Sequence, residues 1–136
     1  MKPHIKYRNH VKYQLLEEYH IQTNITGYCF ETPYMRMEYS GLLKIFYKYT
    51  WDGPSGPVPD IPSTMRASLV HDALYQAMRL GFIPLSERDK ADRMFQAICV
   101  EDGVVSVVAW AMYQALRKYG EPNAMPGTEP PPIIAP

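Results

Sequence analysis

The sequence has only two cysteines in 136 residues, Cys29 and Cys99. Neither stands in a CxxC or Cys/His spacing, which argues against a zinc ligand set or a redox pair and leaves two free, buried thiols suited to a reducing compartment. Charge of one sign is not in excess either, since 14 Lys+Arg face 14 Asp+Glu. Bulk attraction to a phosphate backbone is therefore not expected, and nucleic acid is set aside as a partner. No run approaches the roughly 18 apolar residues of a membrane span. The start, Met1 to Tyr19, mixes charged and aromatic residues without the apolar stretch of a signal peptide. The expectation is a soluble protein made in the cytoplasm.

What is present is an ordinary globular composition, 46% hydrophobic and 21% charged. This suits one modest core, so a single α+β domain is expected over 1–120, with a β-rich part at 1–51, a loop at 52–62 and a helical part at 63–120. Leu43, Ile45, Tyr47, Tyr49 and Trp51 recur at every second position, which predicts one half-buried strand. Tyr34 to Tyr39 reads as its hairpin neighbour across Ser40-Gly41, and a third strand is expected at Lys12 to Leu16, extending toward Ile21. Together they predict a small N-terminal antiparallel sheet rich in tyrosine.

Asp52-Gly53-Pro54-Ser55-Gly56-Pro57, followed by Pro59 and Pro62, excludes helix and ladder strand and predicts a shaped loop. Ser63 then offers an N-cap for a helix from Thr64 to Leu80, with Gly81 in the C′ position. A second helix is expected behind Pro84, capped by Ser86 with Asp89 three residues on, and running to about Val100. The third, from Val104 to Lys118 and closing at Gly120, is so apolar that it reads as the buried central helix. The segment 121–136 is Pro-rich and predicts an extended tail able to lie against a partner.

On a helical wheel Tyr75 falls about 40° from His71 on the core-facing stripe, and Asp72 about 100° away, at its edge. Asp92 shares a face with Arg88, Phe95 and Cys99 on the second helix. A short connection at Phe82 to Leu85 makes the two helices antiparallel neighbours, so His71 and Asp92 can meet. An imidazole held at one nitrogen by a carboxylate presents the other as an acceptor, which suits deprotonation of a water or hydroxyl. The Gly-rich loop ahead of this helix could add carbonyl oxygens to Asp72 around a hard cation such as calcium. Other candidates are weaker. His4, His10 and His20 lack metal spacing, Ser63 and Ser68 lack a nucleophile elbow, and Met65, Met78, Met94 and Met112 read as core filling.

Tyr49-Thr50-Trp51-Asp52-Gly53-Pro54-Ser55-Gly56, His71-Asp72-Ala73-Leu74-Tyr75 and Ala91-Asp92-Arg93-Met94-Phe95 resemble the calcium loop, the H-D-x-x-Y helix and the A-D-x-x-F helix of phospholipase A₂. The likeness is to the disulfide-poor forms of parvovirus capsids and some bacteria, and it covers roughly residues 47 to 98. It implies that His71 activates water, that Asp92 and Tyr75 orient His71, and that the Gly53 N–H holds the oxyanion. It also implies that Asp72 binds calcium with the carbonyls of Trp51, Gly53 and Ser55. Ser55 stands where that family prefers a second glycine, and Asp52 adds a charge to the loop. The whole chain also resembles a family of small phage and prophage proteins, through the Asp-Gly-x-Ser loop, Leu69-Val70-His71-Asp72-Ala73-Leu74-Tyr75, the spacing of Arg88, Asp92 and Phe95, and Met112-Tyr113 with Ala115 and Gly120.

These resemblances imply synthesis in a bacterial host cytoplasm, with incorporation in a virion as a further possibility. Three functions follow as expectations. One is a calcium-dependent phospholipase-like ester hydrolase acting on lipid or another cell-envelope substrate. The second is a noncatalytic virion or tail-assembly component, with a structural His/Asp pair and virion partners held through the Pro-rich tail. The third is another envelope hydrolase, a peptidase or amidase.

Overall fold

Met35 and Met37 alternate with charged residues, as do Leu43 and Ile45 around Lys44, and a glycine between the two runs lets the chain reverse. The computed structural model describes residues 5, 7–9, 13–53 and 61–127. These divide into two compact units, one running through Asp52 and the other from Gly53. The architecture is α+β, with antiparallel strands first and three helices after them.

The described strands of the first unit are β1 (Tyr7–Asn9), β2 (Tyr13–Leu15), β3 (Tyr19–Gln22), β4 (Phe30–Glu31), β5 (Met35–Met37), β6 (Leu42–Ile45) and β7 (Thr50–Trp51). They form two antiparallel sheets, ordered β1-β2-β7 and β3-β6-β5-β4, rather than the one sheet expected. The β5–β6 hairpin is the anticipated one, pairing Met35 with Ile45 and Met37 with Leu43. Gly41 closes it at φ 95°, with its N–H donating to the Glu38 carbonyl at 2.8 Å. A side chain there would meet the carbonyl oxygens of Ile25 at 2.9 Å and Thr23 at 3.0 Å, so both backbone conformation and space select glycine.

The single strand expected over 43–51 is instead β6 and β7, in different sheets. The break is a turn at Tyr47 and Lys48, where Lys48 takes φ 75° and the Tyr49 N–H donates to the Phe46 carbonyl at 3.1 Å. Tyr47 is exposed by this turn, while Leu43, Ile45, Tyr49 and Trp51 remain buried. The inward phase resumes because the Leu15 N–H donates to the Tyr49 carbonyl and the Lys48 N–H to the Leu15 carbonyl, at 2.8 and 2.9 Å. The strand expected from Lys12 toward Ile21 is likewise divided, into β2 and β3.

In the second unit α1 spans Pro62–Arg79, α2 Arg88–Glu101 and α3 Ser106–Tyr119. Ser63 is not the cap of α1. Pro62 occupies the first turn, where its missing N–H costs nothing, and Ile61 is the N-cap, its N–H donating to Thr64 Oγ1 at 3.3 Å. The helix ends as its sequence implies, with Gly81 at φ 84°, its N–H donating to the Met78 carbonyl and that of Phe82 to the Ala77 carbonyl. Ser86 does not cap α2 either. A 3-10 turn at Leu85–Glu87 leads in, Glu87 is the N-cap, and Asp89 is drawn to Arg93 and Tyr113 instead.

The buried helix is α1, not α3. Fourteen of the eighteen residues of α1 are buried, whereas α3 buries only Ala109, Met112, Tyr113 and Leu116. Val107 and Trp110 are 72% and 54% exposed, so the apolarity of α3 is mostly an outward face. Met35, Met37, Met65, Met78 and Met112 fill cores. Cys99 is buried, and burial together with the Asp102 charge pushes its thiol up to about 12. Cys29, expected to be buried, is exposed. The described start of the Pro-rich segment is a 3-10 turn, Glu121–Asn123, and residues 128–136 lie outside the described residues. Among those described, no helix is long and apolar enough to cross a membrane.

Candidate functional site

Helical spacing sets His71 and Tyr75 one turn apart on α1, and their rings lie 4.0 Å apart between centroids, tilted 38° to one another. The antiparallel return brings α2 alongside, so that Arg66 pairs with Asp102 near one end and His71 meets Asp92 further on. Phe95, one turn beyond Asp92, places its ring edge against the imidazole at 5.5 Å.

Asp92 is wholly buried and is the hub of the site. Its Oδ1 accepts from His71 Nε2 at 2.7 Å and from the Tyr75 hydroxyl at 2.6 Å. Its Oδ2 accepts from Arg117 Nη1 at 2.9 Å, and Arg88 Nη1 stands 3.7 Å away. Burial alone would drive this carboxyl toward its neutral form. The hydrogen bonds from His71 and Tyr75, the His71 interaction and the Arg117 hydrogen bond outweigh it, and its pKa lies below the usual carboxylate value. Asp92 is therefore an ion, and every group around it must donate. Tyr75 is correspondingly held protonated, its pKa raised by burial and then by its bond to Asp92.

The consequence for His71 is tautomeric. An ionised Asp92 can only accept, so Nε2 carries a proton, and in the neutral form of the imidazole Nδ1 is the bare acceptor. No described residue hydrogen-bonds to Nδ1. His71 as a residue is 4% exposed.

Of the residues anticipated from the sequence, His71, Asp92 and Tyr75 come together on α1 and α2. Asp72 follows His71 and is half-buried. Trp51 ends β7 in the first unit, Gly53 follows at φ 87°, and Ser55 lies outside the described residues. No cluster of three or more His, Cys, Asp or Glu side chains able to hold a metal occurs among the described residues. Asp72 would supply a side-chain oxygen to calcium, with loop carbonyls for the rest. Ser68, the alternative nucleophile, donates its hydroxyl to the Met65 carbonyl at 2.8 Å.

Two participants escaped the sequence reading. Arg88 was on the Asp92 face but had no assigned role. It is buried, donates to the Tyr75 hydroxyl at 3.3 Å, and satisfies the last carbonyls of α3, Leu116 and Arg117, at 3.1 Å each. Its position four residues before Asp92 is a detectable ion-pair spacing. Arg117, near the end of α3, carries no such signal, because a cation in a last helical turn normally serves the helix dipole.

The chain is thus an α+β protein with a buried His-Asp-Tyr constellation braced by two arginines. Residues 55–116 match a family described as a protein of unknown function, DUF1353. No curated protein and no solved structure matches the chain.

Proposed function

We propose that this is a phage-encoded, phospholipase A₂-like ester hydrolase in which His71 is the general base. The 2.7 Å bond from His71 Nε2 to an ionised Asp92 carries the proposal, because it leaves Nδ1 as the acceptor. Water loses a proton to Nδ1 as its oxygen attacks the ester carbonyl carbon. The resulting imidazolium is stabilised by Asp92, and the same proton passes to the departing alkoxide as the acyl–oxygen bond breaks. Tyr75 keeps its proton throughout and fixes the Asp92 oxygen that His71 uses. Calcium bound by Asp72 and loop carbonyls would stabilise the oxyanion together with the Gly53 N–H.

The test is acyl release from mixed phospholipid vesicles with and without millimolar calcium, alongside unfolding midpoints. Calcium is expected to support turnover and to raise the melting temperature, less so in Asp72→Asn, since a ligand of the folded state stabilises it by mass action. A wild type silent on every ester, with or without calcium, would overturn the hydrolase.

A second reading, a noncatalytic virion or tail-assembly component, is favoured by the near-closure of His71 and by the outward Val107 and Trp110 of α3, which subunits could cover. It expects no turnover, and His71→Ala would then register only as lost stability.

A further inference from the structure

The Asp92 carboxylate can rotate about its Cβ–Cγ bond, and the His71 tautomer depends on where that rotation stops. The contacts to Oδ1 come from His71 and Tyr75, the groups to be aligned, so they cannot by themselves fix the carboxylate plane. The independent contact is on Oδ2, where Arg117 Nη1 donates at 2.9 Å. Arg117 is 33% exposed and has a second anchor, Asp89 Oδ1 at 3.5 Å, which Tyr113 and Arg93 hold in turn. It thus links the buried carboxylate to a fixed acidic group nearer the surface. Asp89 also offsets part of the positive charge that Arg88 and Arg117 bring to one carboxylate.

Three residues further along, Gly120 borders the same network. It has φ −80° and ψ −22°, a conformation open to any L residue, so backbone freedom does not explain a glycine here. Space does. A Cβ at Gly120 would lie 2.8 Å from the Tyr75 hydroxyl oxygen, 3.2 Å from Arg88 Nη1 and 2.5 Å from the Leu116 carbonyl oxygen. Any side chain must displace the Tyr75 hydroxyl, the Arg88 guanidinium or the turn that ends α3.

We infer that Arg117 and Gly120 are positioning residues for His71, Arg117 by fixing the Asp92 carboxylate through Oδ2 and Gly120 by leaving room for the Tyr75 hydroxyl on Oδ1. Both lie beyond the 55–116 segment that matches the family of unknown function, so the working site extends past that segment to the end of α3. The catalytic consequence rests on His71 being the base, but the positioning of the imidazole does not.

The test is the tautomer of His71 in the full-length protein, read from ¹⁵N-histidine NMR and assigned by the signals lost in His71→Asn. In the wild type, one pair of shifts with Nε2 protonated and Nδ1 bare is expected, together with a low-field, slowly exchanging Nε2 proton. Arg117→Met and Gly120→Ala, each with its unfolding curve recorded, are expected to lose the low-field proton and to mix in the Nδ1-protonated form. Arg117→Lys should restore part of the wild-type pattern, because a cation then reaches Oδ2 without the guanidinium fork. Arg117→Gln is the milder replacement if the methionine variant does not fold. Folded Arg117 and Gly120 variants with an unaltered imidazole spectrum would overturn the inference. A wild type without esterase activity whose spectra still respond would overturn the base instead and leave the positioning intact.

Discussion

The two units bury different things. Among the described residues of the first, the buried side chains are apolar except for Thr23, whose hydroxyl donates to the Gly41 carbonyl at 2.7 Å. The second buries Thr64, Arg66, Ser68, His71, Gln76, Arg88 and Asp92. Apolar packing in the β-rich unit tolerates approximate shape, whereas a buried ion network fails when one member is removed. Potential chemistry is therefore concentrated where folding is least forgiving, and substitutions should divide the units sharply.

The largest effect is expected at Asp92. Asp92→Ala removes the buried carboxylate to which His71, Tyr75 and Arg117 donate and should cost about 3–5 kcal/mol of unfolding free energy by urea titration, the range for one partner removed from a buried ion pair. Asp92→Asn retains the shape and should cost less. A loss below about 1 kcal/mol in the alanine variant would mean that the network contributes little to the fold.

In the first unit the comparable weak point is a turn. Gly41→Ala adds a clash with two carbonyls to a left-handed backbone and should cost roughly 1–3 kcal/mol. Gly81→Ala shares the left-handed backbone, φ 84°, but opens onto free space, so about 1 kcal/mol is expected. Equal costs would remove the role assigned to crowding at Gly41.

Acid should separate the units more gently. Asp92 and Asp89 both have folded pKa values below their ordinary ones, so the unfolded chain binds protons first as pH falls. Their stabilisation is present in full above the unfolded carboxylate value near 4 and is lost as pH falls through the lower folded values. Asp92→Asn should flatten that acid limb, and a limb of unchanged steepness would reassign it to other carboxylates.

The same contrast explains what could be read in advance. The β5–β6 hairpin was legible because alternation and Gly41 agree, and α1 because an unbroken run ends at Gly81. His71, Tyr75 and Asp92 were legible because helical spacing and a short connection bring them together. The strand break at Lys48 was not, since lysine rarely takes φ 75° and the inward phase of Tyr49 and Trp51 continues across the turn. The exposure of α3 was missed because an apolar helix need not be an interior one. Ser86 looked like a cap, yet Asp89 found stronger partners in Arg93 and Tyr113. Arg117 requires the register of α3 against α2, which no local pattern encodes.

The most direct measurement is the initial rate of ester hydrolysis on phospholipid vesicles for His71→Ala, Asp92→Asn and the double variant, each confirmed folded by its unfolding midpoint. If Asp92 acts only through His71, the double variant should be no slower than His71→Ala, and Asp92→Asn should retain an intermediate rate. Rates that multiply, or a folded His71→Ala with wild-type turnover, would contradict a base at His71 held by Asp92.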